Sequence, residues 1–589
     1  MRYNNDKSRE YIFSRRAFIL ILIKSVIFLV IAVRLFFLQI LRSNEYKTLS
    51  DRNRIKLLLL EPKRGKILDR NKIVLAENKV NYRLYFYKQR DHNFTTILDK
   101  VFEILGPPID QKHWLYNTVR DANYIYPILL EEDLSWINVS KIEANLYKLP
   151  GVYINKGYAR FYPFGGASSH VIGYMGPPTT EQAKDYKLFN NKEFKLGKSG
   201  LEKTFDDKLV GKFGNKRVEV NANRVVVREL THEKSTAGQD QVTTLDAKLQ
   251  EFVFNNISKE GAAVVVLDTS NGGVLSMIST PTFDPNLFSI SISKQEWDGI
   301  LKSKSYPLTN KVIKKLYPPG SPWKIVMALA ILRYGIDPKK KIYCSGSLKV
   351  GNRVCKCVST SGHGPVDLEK ALAVSCNVYF YELAPIVGIE NIHYIADILG
   401  FGHKTGIEIS GEISGINPNK EWKKKLFSEN WSVGDTINSS IGQGFIASTP
   451  IQLATMIARV ATGKKISPTL IGGGSNIEDL NIDPAHLAIV HQGLASVFNA
   501  PYGTGYGSRI AEEEYAIAGK TGTAQVVAGD TVNSRIKSIK CHAIFTGYAP
   551  VINPKYAIVT IVDHAGWGSR AAAPLARDIL YFAQKNLNI

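Results

Sequence analysis

The strongest pattern in the chain is a continuous apolar run from Ala17 to Leu41, AFILILIKSVIFLVIAVRLFFLQIL, with polar sequence on both sides. Wound as an α-helix, it would reach ~37 Å at ~1.5 Å per residue, enough to cross a bilayer with some tilt. Lys24 and Arg34 interrupt the run, each seven residues inside one end. From there their long stems can carry the charge to the interface. No small-x-small cleavage pattern follows, so the segment reads as an uncleaved anchor. The Arg15-Arg16 pair at its edge favours a cytoplasmic N-terminus, with the rest of the chain outside the cytoplasm.

Beyond the anchor the periodicity shortens. Leu57–Leu60, the turn-rich Glu61-Pro62-Lys63-Arg64-Gly65 and the alternation that follows it predict strand, turn, strand. Between about 80 and 240, β-rich pieces (Tyr82–Tyr87, Val218–Val227) mix with helical ones (Thr95–Leu105, Leu201–Leu209), as in a spacer or docking domain. Gly261–Asp268 is an unbroken β-branched run, the mark of a strand buried on both faces. Gly272-Gly273 turns it into a partner strand, Val274–Ile278. A helix-rich stretch from 321 to 500 precedes strand-like runs at Tyr515–Ala518, Ala543–Tyr548 and Tyr556–Val562, and a last helix over Ala571–Leu587. Strands at both ends with helices between predict an α/β domain whose sheet is completed by the C-terminus. The expected division is a tail over 1–16, an anchor over 17–41, an elongated α+β pedestal over 42–240 and a catalytic domain over 241–589.

Composition changes this picture only through charge. The 589 residues are 44% apolar and 22% charged, ordinary for a folded protein, but 75 Lys+Arg against 53 Asp+Glu give +22. That balance suits an acidic polymer, anionic lipid or nucleic acid. The basic residues are spread rather than blocked, and no zinc-finger or helix-turn-helix spacing occurs, so nucleic acid is not an expected partner.

The candidate chemistry lies in three stretches: Ser321-Pro322-Trp323-Lys324, Ser375-Cys376-Asn377 and Lys520-Thr521-Gly522-Thr523. Together they supply a hydroxyl nucleophile, a lysine base, a proton relay and a glycine-bearing strand edge, which is equipment for acyl transfer through a serine ester. After Pro318-Pro319-Gly320, Ser321 is expected at a helix N-cap with Pro322 at the first helical position. Lys324 then falls one turn later on the same face. Each motif recurs elsewhere: Ser-x-x-Lys at Ser291–Lys294 and Ser534–Lys537, Lys-Thr-Gly at Lys404-Thr405-Gly406, and Ser-x-Asn at Ser428–Asn430. The first two sit in polar stretches without the Pro-Pro-Gly lead-in, and the third is expected in a connecting loop. In the chosen strand, Gly522 is expected to let substrate backbone approach closely.

These residues resemble the class B penicillin-binding proteins, and most of all their elongation group, penicillin-binding protein 2. Arg64-Gly65-Lys66-Ile67-Leu68-Asp69-Arg70-Asn71 is similar to one pedestal motif, although Lys72 stands where a glycine is usual. Gly200-Leu201-Glu202-Lys203 and Arg160-Phe161-Tyr162-Pro163 resemble two more, and Gly442-Gln443-Gly444 and Ala518–Ala524 resemble catalytic ones. Pro322-Trp323 replaces a smaller pair and is expected to alter the cleft floor. The resemblance implies a penicillin-binding transpeptidase domain, an antiparallel sheet flanked by helices. It implies a D,D-transpeptidase or carboxypeptidase acting on D-Ala-D-Ala stem peptides and acylated by β-lactams. Ser321 would be the nucleophile, Lys324 the base, Ser375 the relay assisted by Lys520, and Asn377 the holder of the substrate amide. Thr521, Gly522 and Thr523 would form the substrate edge. A bacterial inner-membrane location and a membrane glycosyltransferase partner of the RodA type, with other elongation proteins, are implied in the same way.

Four of the five cysteines fall between 344 and 376, together with His363. Three thiolates and an imidazole suit a closed zinc site. Position-by-position likeness to the family implies Cys344, Cys357, His363 and Cys376 as ligands, with Cys355 spare. A disulfide is the competing reading, since an exported domain meets an oxidising compartment. Rival functions are a division-type transpeptidase, a serine β-lactamase, against which the anchor and pedestal count, and a β-lactam sensor.

Overall fold

A computed structural model of the chain describes residues 4–43, 54–88, 93–106, 109–121, 127–179, 181–182, 194–220, 226–258, 261–290, 292, 294–472, 477–524 and 541–587. The N-terminal apolar run is helical: Asn4–Phe36 continues through a π-helical turn, Phe37–Leu41. Within Arg15–Leu41 the most apolar 18-residue window has a mean hydropathy of 2.7 and is not buried at all against the protein. Length and composition suffice to cross a membrane.

Two sheets form the pedestal. Ile55–Leu60, Gly214–Val220 and Val226–Glu233 make an antiparallel three-stranded sheet. The second is organised by the long strand Val74–Phe86, antiparallel to Val152–Phe161 from Glu77 to Phe86. Its inward residues Leu84 and Phe86 pack with Leu98, Val101 and Ile142 of two covering helices. The sequence motifs of the pedestal meet at one carboxylate. Glu202 is fully buried and receives Arg64 Nε and Arg160 Nε, each at 2.6 Å, while Arg64 Nη2 reaches Asp206 at 2.7 Å. Burial alone would raise the Glu202 carboxyl; Arg160 and Arg64 outweigh it and hold the group below the usual carboxylate range.

The adjoining residues bolt the pedestal to the catalytic domain. Asp69, with no exposed surface, accepts from the backbone N–H groups of Asn71 (2.8 Å), Ile73 (2.7 Å) and Ala247 (3.0 Å). Asn71 Nδ2 donates to Asp246 at 3.0 Å. Within this turn Lys72 has φ 64°, a left-handed conformation that explains why glycine is the easier residue there.

The catalytic sheet has five antiparallel strands in the order Val274–Thr280, Ala262–Asp268, Tyr556–Val562, His542–Ala549, Ala518–Ala524. Ala262–Asp268 is buried at every position. Val264 and Val266 face the helices Ala247–Asn256 and Gly568–Asn586. Ala263 and Val265 face the larger core that holds Lys324–Arg333 and Pro450–Thr462. Burial on both faces is why this strand has no polar alternation. Two expectations are corrected. The strand is not Tyr515–Ala518 but the Lys-Thr-Gly segment itself, because Glu513–Tyr515 is a 3-10 turn and pairing with His542–Ala549 starts at Ala518. The helix-rich middle also contains two small hairpin-like pairs, Ile342–Cys344 with Gly364–Val366 and Ser347–Val350 with Arg353–Lys356. They carry Cys344 and Cys355.

Replacing Glu202 by Gln should leave two buried guanidinium groups short of a counter-charge. A loss of about 3–5 kcal/mol in pedestal stability is expected in denaturant titration, against little effect for exposed Glu181→Gln.

Candidate active site

The nucleophile turn begins at Gly320, φ 60°, followed by the 3-10 turn Ser321–Trp323 and the helix Lys324–Arg333. The expected N-cap position is thus shifted by one residue: Gly320 is the cap, and its N–H donates to the Gly442 carbonyl at 3.0 Å. A Cβ on Gly442 would lie 2.4 Å from the Gly320 oxygen, so the Gly-Gln-Gly stretch fixes the turn by close approach. The Ser321 hydroxyl, free of capping duty, accepts from Ser375 Oγ at 3.0 Å.

Lys324 has no exposed surface. Its Nζ donates to Asn377 Oδ1 (2.6 Å), the Ser375 carbonyl (2.8 Å) and Ser375 Oγ (3.2 Å). The hydrogen-bond path from this lysine to Ser321 therefore runs through Ser375. Burial pushes Lys324 down to about 8, against an upward pull from Cys357 and Cys376. Ser375 holds φ 55°, a strained conformation for a residue with a Cβ, costing of order 1–2 kcal/mol. Neighbouring backbone bonds hold the turn, including Cys376 N–H to the Ala371 carbonyl at 2.9 Å. Asn377 Nδ2 donates to the Lys356 carbonyl at 3.1 Å.

Opposite lies the strand Ala518–Ala524. Lys520 is fully buried and donates to the Thr521 carbonyl at 3.3 Å; burial first, then the charge of Lys324, pushes its pKa well down. Ser321, Ser375 and Asn377 line one side of a cleft of about 630 Å³, and Thr521, Gly522 and Thr523 the other. That size suits a peptide-scale ligand. Thr521 Oγ1 lies 2.9 Å from Thr504 Oγ1, and Thr504, Gln443 and Trp567 complete the walls. Thr504 and Trp567 carry no motif that sequence reasoning could have used. Gly522 also has a structural task. A Cβ there would lie 2.4 Å from Pro322 Cδ, so the glycine, which also lines the cleft, is required for the proline ring to pack against the strand. Pro322 and Trp323 are themselves buried, with Trp323 4.9 Å from Phe401, so the pair packs behind the cleft and not on its floor.

The rival motifs separate from this site. Thr405 and Gly406 sit in a loop whose N–H groups donate to Glu412 at 2.8 and 3.1 Å. Ser291 and the Ser534–Lys537 stretch lie outside the described residues. One anchor was invisible in the sequence. Asp563, just past the strand Tyr556–Val562, takes Lys311 (2.9 Å), Lys315 (3.0 Å) and Tyr317 Oη (3.1 Å), with His542 Nδ1 at 3.1 Å. Burial would raise its carboxyl, but His542 and Lys311 hold it far below the carboxylate range. It ties the segment before Ser321 to the strand beside the Lys-Thr-Gly edge.

Behind Ser375-Cys376-Asn377 the implied ligand set converges. Donor atoms of Cys344, Cys357, His363 and Cys376 all lie within 4.8 Å of one another. His363 Nδ1 is 3.5 Å from both Cys344 Sγ and Cys357 Sγ, and Cys357 Sγ is 3.9 Å from Cys376 Sγ. A tetrahedral zinc ion would separate its ligands by roughly 3.8 Å for two sulfurs and roughly 3.6 Å for sulfur and nitrogen. The donor spacing fits. Hydrogen bonding from Cys376, against burial, pulls the Cys357 thiol down to about 4. Cys355 lies apart in an apolar cluster with Tyr381 and Ile437, and all five cysteines are free of disulfides. Cys541 is half-buried in the cleft wall.

The base role expected of Lys324, with burial pushing it down to about 8, gives a signed pH dependence, since only the neutral amine can accept a proton. The rate constant for penicillin acylation should rise about tenfold per unit below pH 8 and level off above it. Stopped-flow labelling across pH 6–10 checks this.

Comparison with known proteins agrees with the geometry. The penicillin binding protein transpeptidase domain matches residues 262–581, and the penicillin-binding protein dimerisation domain residues 59–243. Peptidoglycan D,D-transpeptidase MrdA of Haemophilus influenzae is 34% identical over 99% of this chain and 94% of its own. The protein of the same name from Salmonella typhimurium is 32% identical over 98% and 97%. The penicillin-binding protein PBP2 of Helicobacter pylori, solved in complex with MreC, superposes with a TM-score of 0.78 at 29% identity, covering 90% of this chain and 99% of that one. With both domains matched and full-length relatives above 30% identity, this chain belongs to the penicillin-binding protein transpeptidase family, in the group of the MrdA-type penicillin-binding proteins 2.

Proposed function

We propose that the chain is a peptidoglycan D,D-transpeptidase of the elongation type, working through an ester on Ser321. The observation that carries this reading is the chain Lys324–Ser375–Ser321, with the relay hydroxyl 3.0 Å from the nucleophile. Neutral Lys324 takes the Ser321 proton as Oγ attacks the penultimate D-alanine carbonyl. The developing oxyanion is received by the backbone N–H groups of Ser321 and Thr523, while Thr521 and Thr523 hold the terminal carboxylate. When the C–N bond breaks, Ser375 passes a proton to the leaving D-alanine amine, with Lys520 stabilising the relay oxygen. Attack on the ester by an amine of a second stem peptide reverses these steps and forms the cross-link. Attack by water gives the carboxypeptidase reaction. A β-lactam enters as the donor peptide does and stays on Ser321.

Cys344, Cys357, His363 and Cys376 would hold one zinc ion. Bound, it supplies structural cross-linking rather than chemistry, fixing Cys376 between the relay serine and Asn377. We assign 17–41 to an inner-membrane anchor with a cytoplasmic N-terminus, 42–240 to the pedestal and 241–589 to the periplasmic catalytic domain. A RodA-type glycosyltransferase and an MreC-like protein are the proposed partners; the complex of the Helicobacter relative supports the second.

Purified protein given a D-Ala-D-Ala donor and an amine acceptor should release D-alanine with each cross-link. Ser321→Ala should lower this at least ~10³-fold; retained turnover would remove the serine from the mechanism. Depletion in cells should give rounding, whereas filaments would indicate the division-type enzyme. Metal analysis should find about one zinc per chain. Cys344→Ser should lose it and slow acylation about 10–100-fold, whereas metal-free protein of full activity would refute the zinc assignment.

A further inference from the structure

Three arginines and a serine line one small cavity in the pedestal, and each carries a buried polar atom outside the regular hydrogen bonds of the region. Arg64 Nη1, Arg83 Nε, Arg160 Nη2 and Ser289 Oγ are all buried and lack hydrogen-bond partners. All four residues line a single cavity of about 80 Å³. They are 7%, 6%, 5% and 7% exposed, respectively. Among the described residues, every guanidinium nitrogen left buried and unpaired is found here.

The local carboxylates do not reach these atoms. Glu202 is spent on Arg64 Nε and Arg160 Nε, Asp206 on Arg64 Nη2, and Glu61 lies 3.8 Å from Arg83 Nη1. Lys195, also in the wall, is spent on Glu132 (2.6 Å) and the Ser289 carbonyl (2.7 Å). What remains is three N–H donors and the Ser289 hydroxyl, which can donate or accept. Charged donors buried without acceptors are costly, and native proteins fill such places with a ligand or water. The space exceeds that of one water, ~30 Å³ in the liquid. Apolar Met175, Val210 and Phe213 form part of the wall, and Glu61 lies at its exposed rim.

We propose that this cavity binds one small oxoanion, of the phosphate or carboxylate kind. Arg64 belongs to the segment entering the pedestal, Arg83 and Arg160 to its two paired strands, and Ser289 to the helix Asn286–Ser289 of the catalytic domain. An anion here joins all of these pieces at one point. It is a second anion site, separate from the substrate edge at Thr521 and Thr523.

The test is calorimetry on the full chain in detergent with inorganic phosphate and, separately, acetate, both against chloride at equal ionic strength. One saturable site per chain is expected for at least one of them, with a rise of about 2 °C or more in unfolding temperature at saturation. Stronger binding of phosphate or of acetate identifies the ligand class. Ser289→Ala and Arg83→Gln, which leave the Glu202 cluster intact, should each weaken binding about tenfold. Thr523→Val should not change it. The proposal is overturned if neither anion binds saturably, if binding survives both pedestal substitutions, or if crystals grown in phosphate show only ordered water in the cavity.

Discussion

A lysine ammonium with no exposed surface is the constraint around which the catalytic site is built. Desolvating such a group costs several kcal/mol, which the protein meets either by surrounding it with acceptors or by letting it lose its proton. Lys324 has both routes: three oxygens of the Ser375–Asn377 turn lie within 3.2 Å, and burial brings its pKa to about 8. The contacts that lower the desolvation cost also align the relay hydroxyl on Ser321. A second buried lysine, Lys520, raises the stakes, because each charge disfavours the other. The strained Ser375 turn persists because Lys324 on one side and Cys376 on the other fix it.

The pedestal follows the same logic with the sign reversed. There a buried carboxylate, Glu202, organises two arginines from distant strands, and Asp69 fixes the adjoining turn to the first residues of the catalytic domain. Ion pairs of this kind add little net stability, but they admit only one arrangement of the segments they join. Asp563 does similar work beside the nucleophile turn. Three buried carboxylates, each shared among several chain segments, thus hold the serine turn, the strand edge and the pedestal in one frame.

The elements legible in the sequence were those written locally. The β-branched run of Ala262–Asp268 and the strand Tyr556–Val562 could be read because two-sided burial leaves no room for polar residues. The Ser321–Lys324 spacing and the cysteine grouping were visible because each lies within a short stretch. What failed depended on distant partners. Pro322-Trp323 looked like cleft floor, yet Phe401 and Gly442 draw the pair inward. Asp563 acts on partners more than two hundred residues away and Thr504 sits in a loop without periodicity, so no local pattern announced them.

The account stands on the Ser321 hydroxyl being the atom that becomes esterified. Intact mass of penicillin-treated protein, followed by proteolysis and peptide mapping, tests that directly. The structure predicts a single adduct on the peptide containing Ser321, lost in protein carrying Lys324→Ala. An adduct on another residue, or none on well-folded protein, would contradict it.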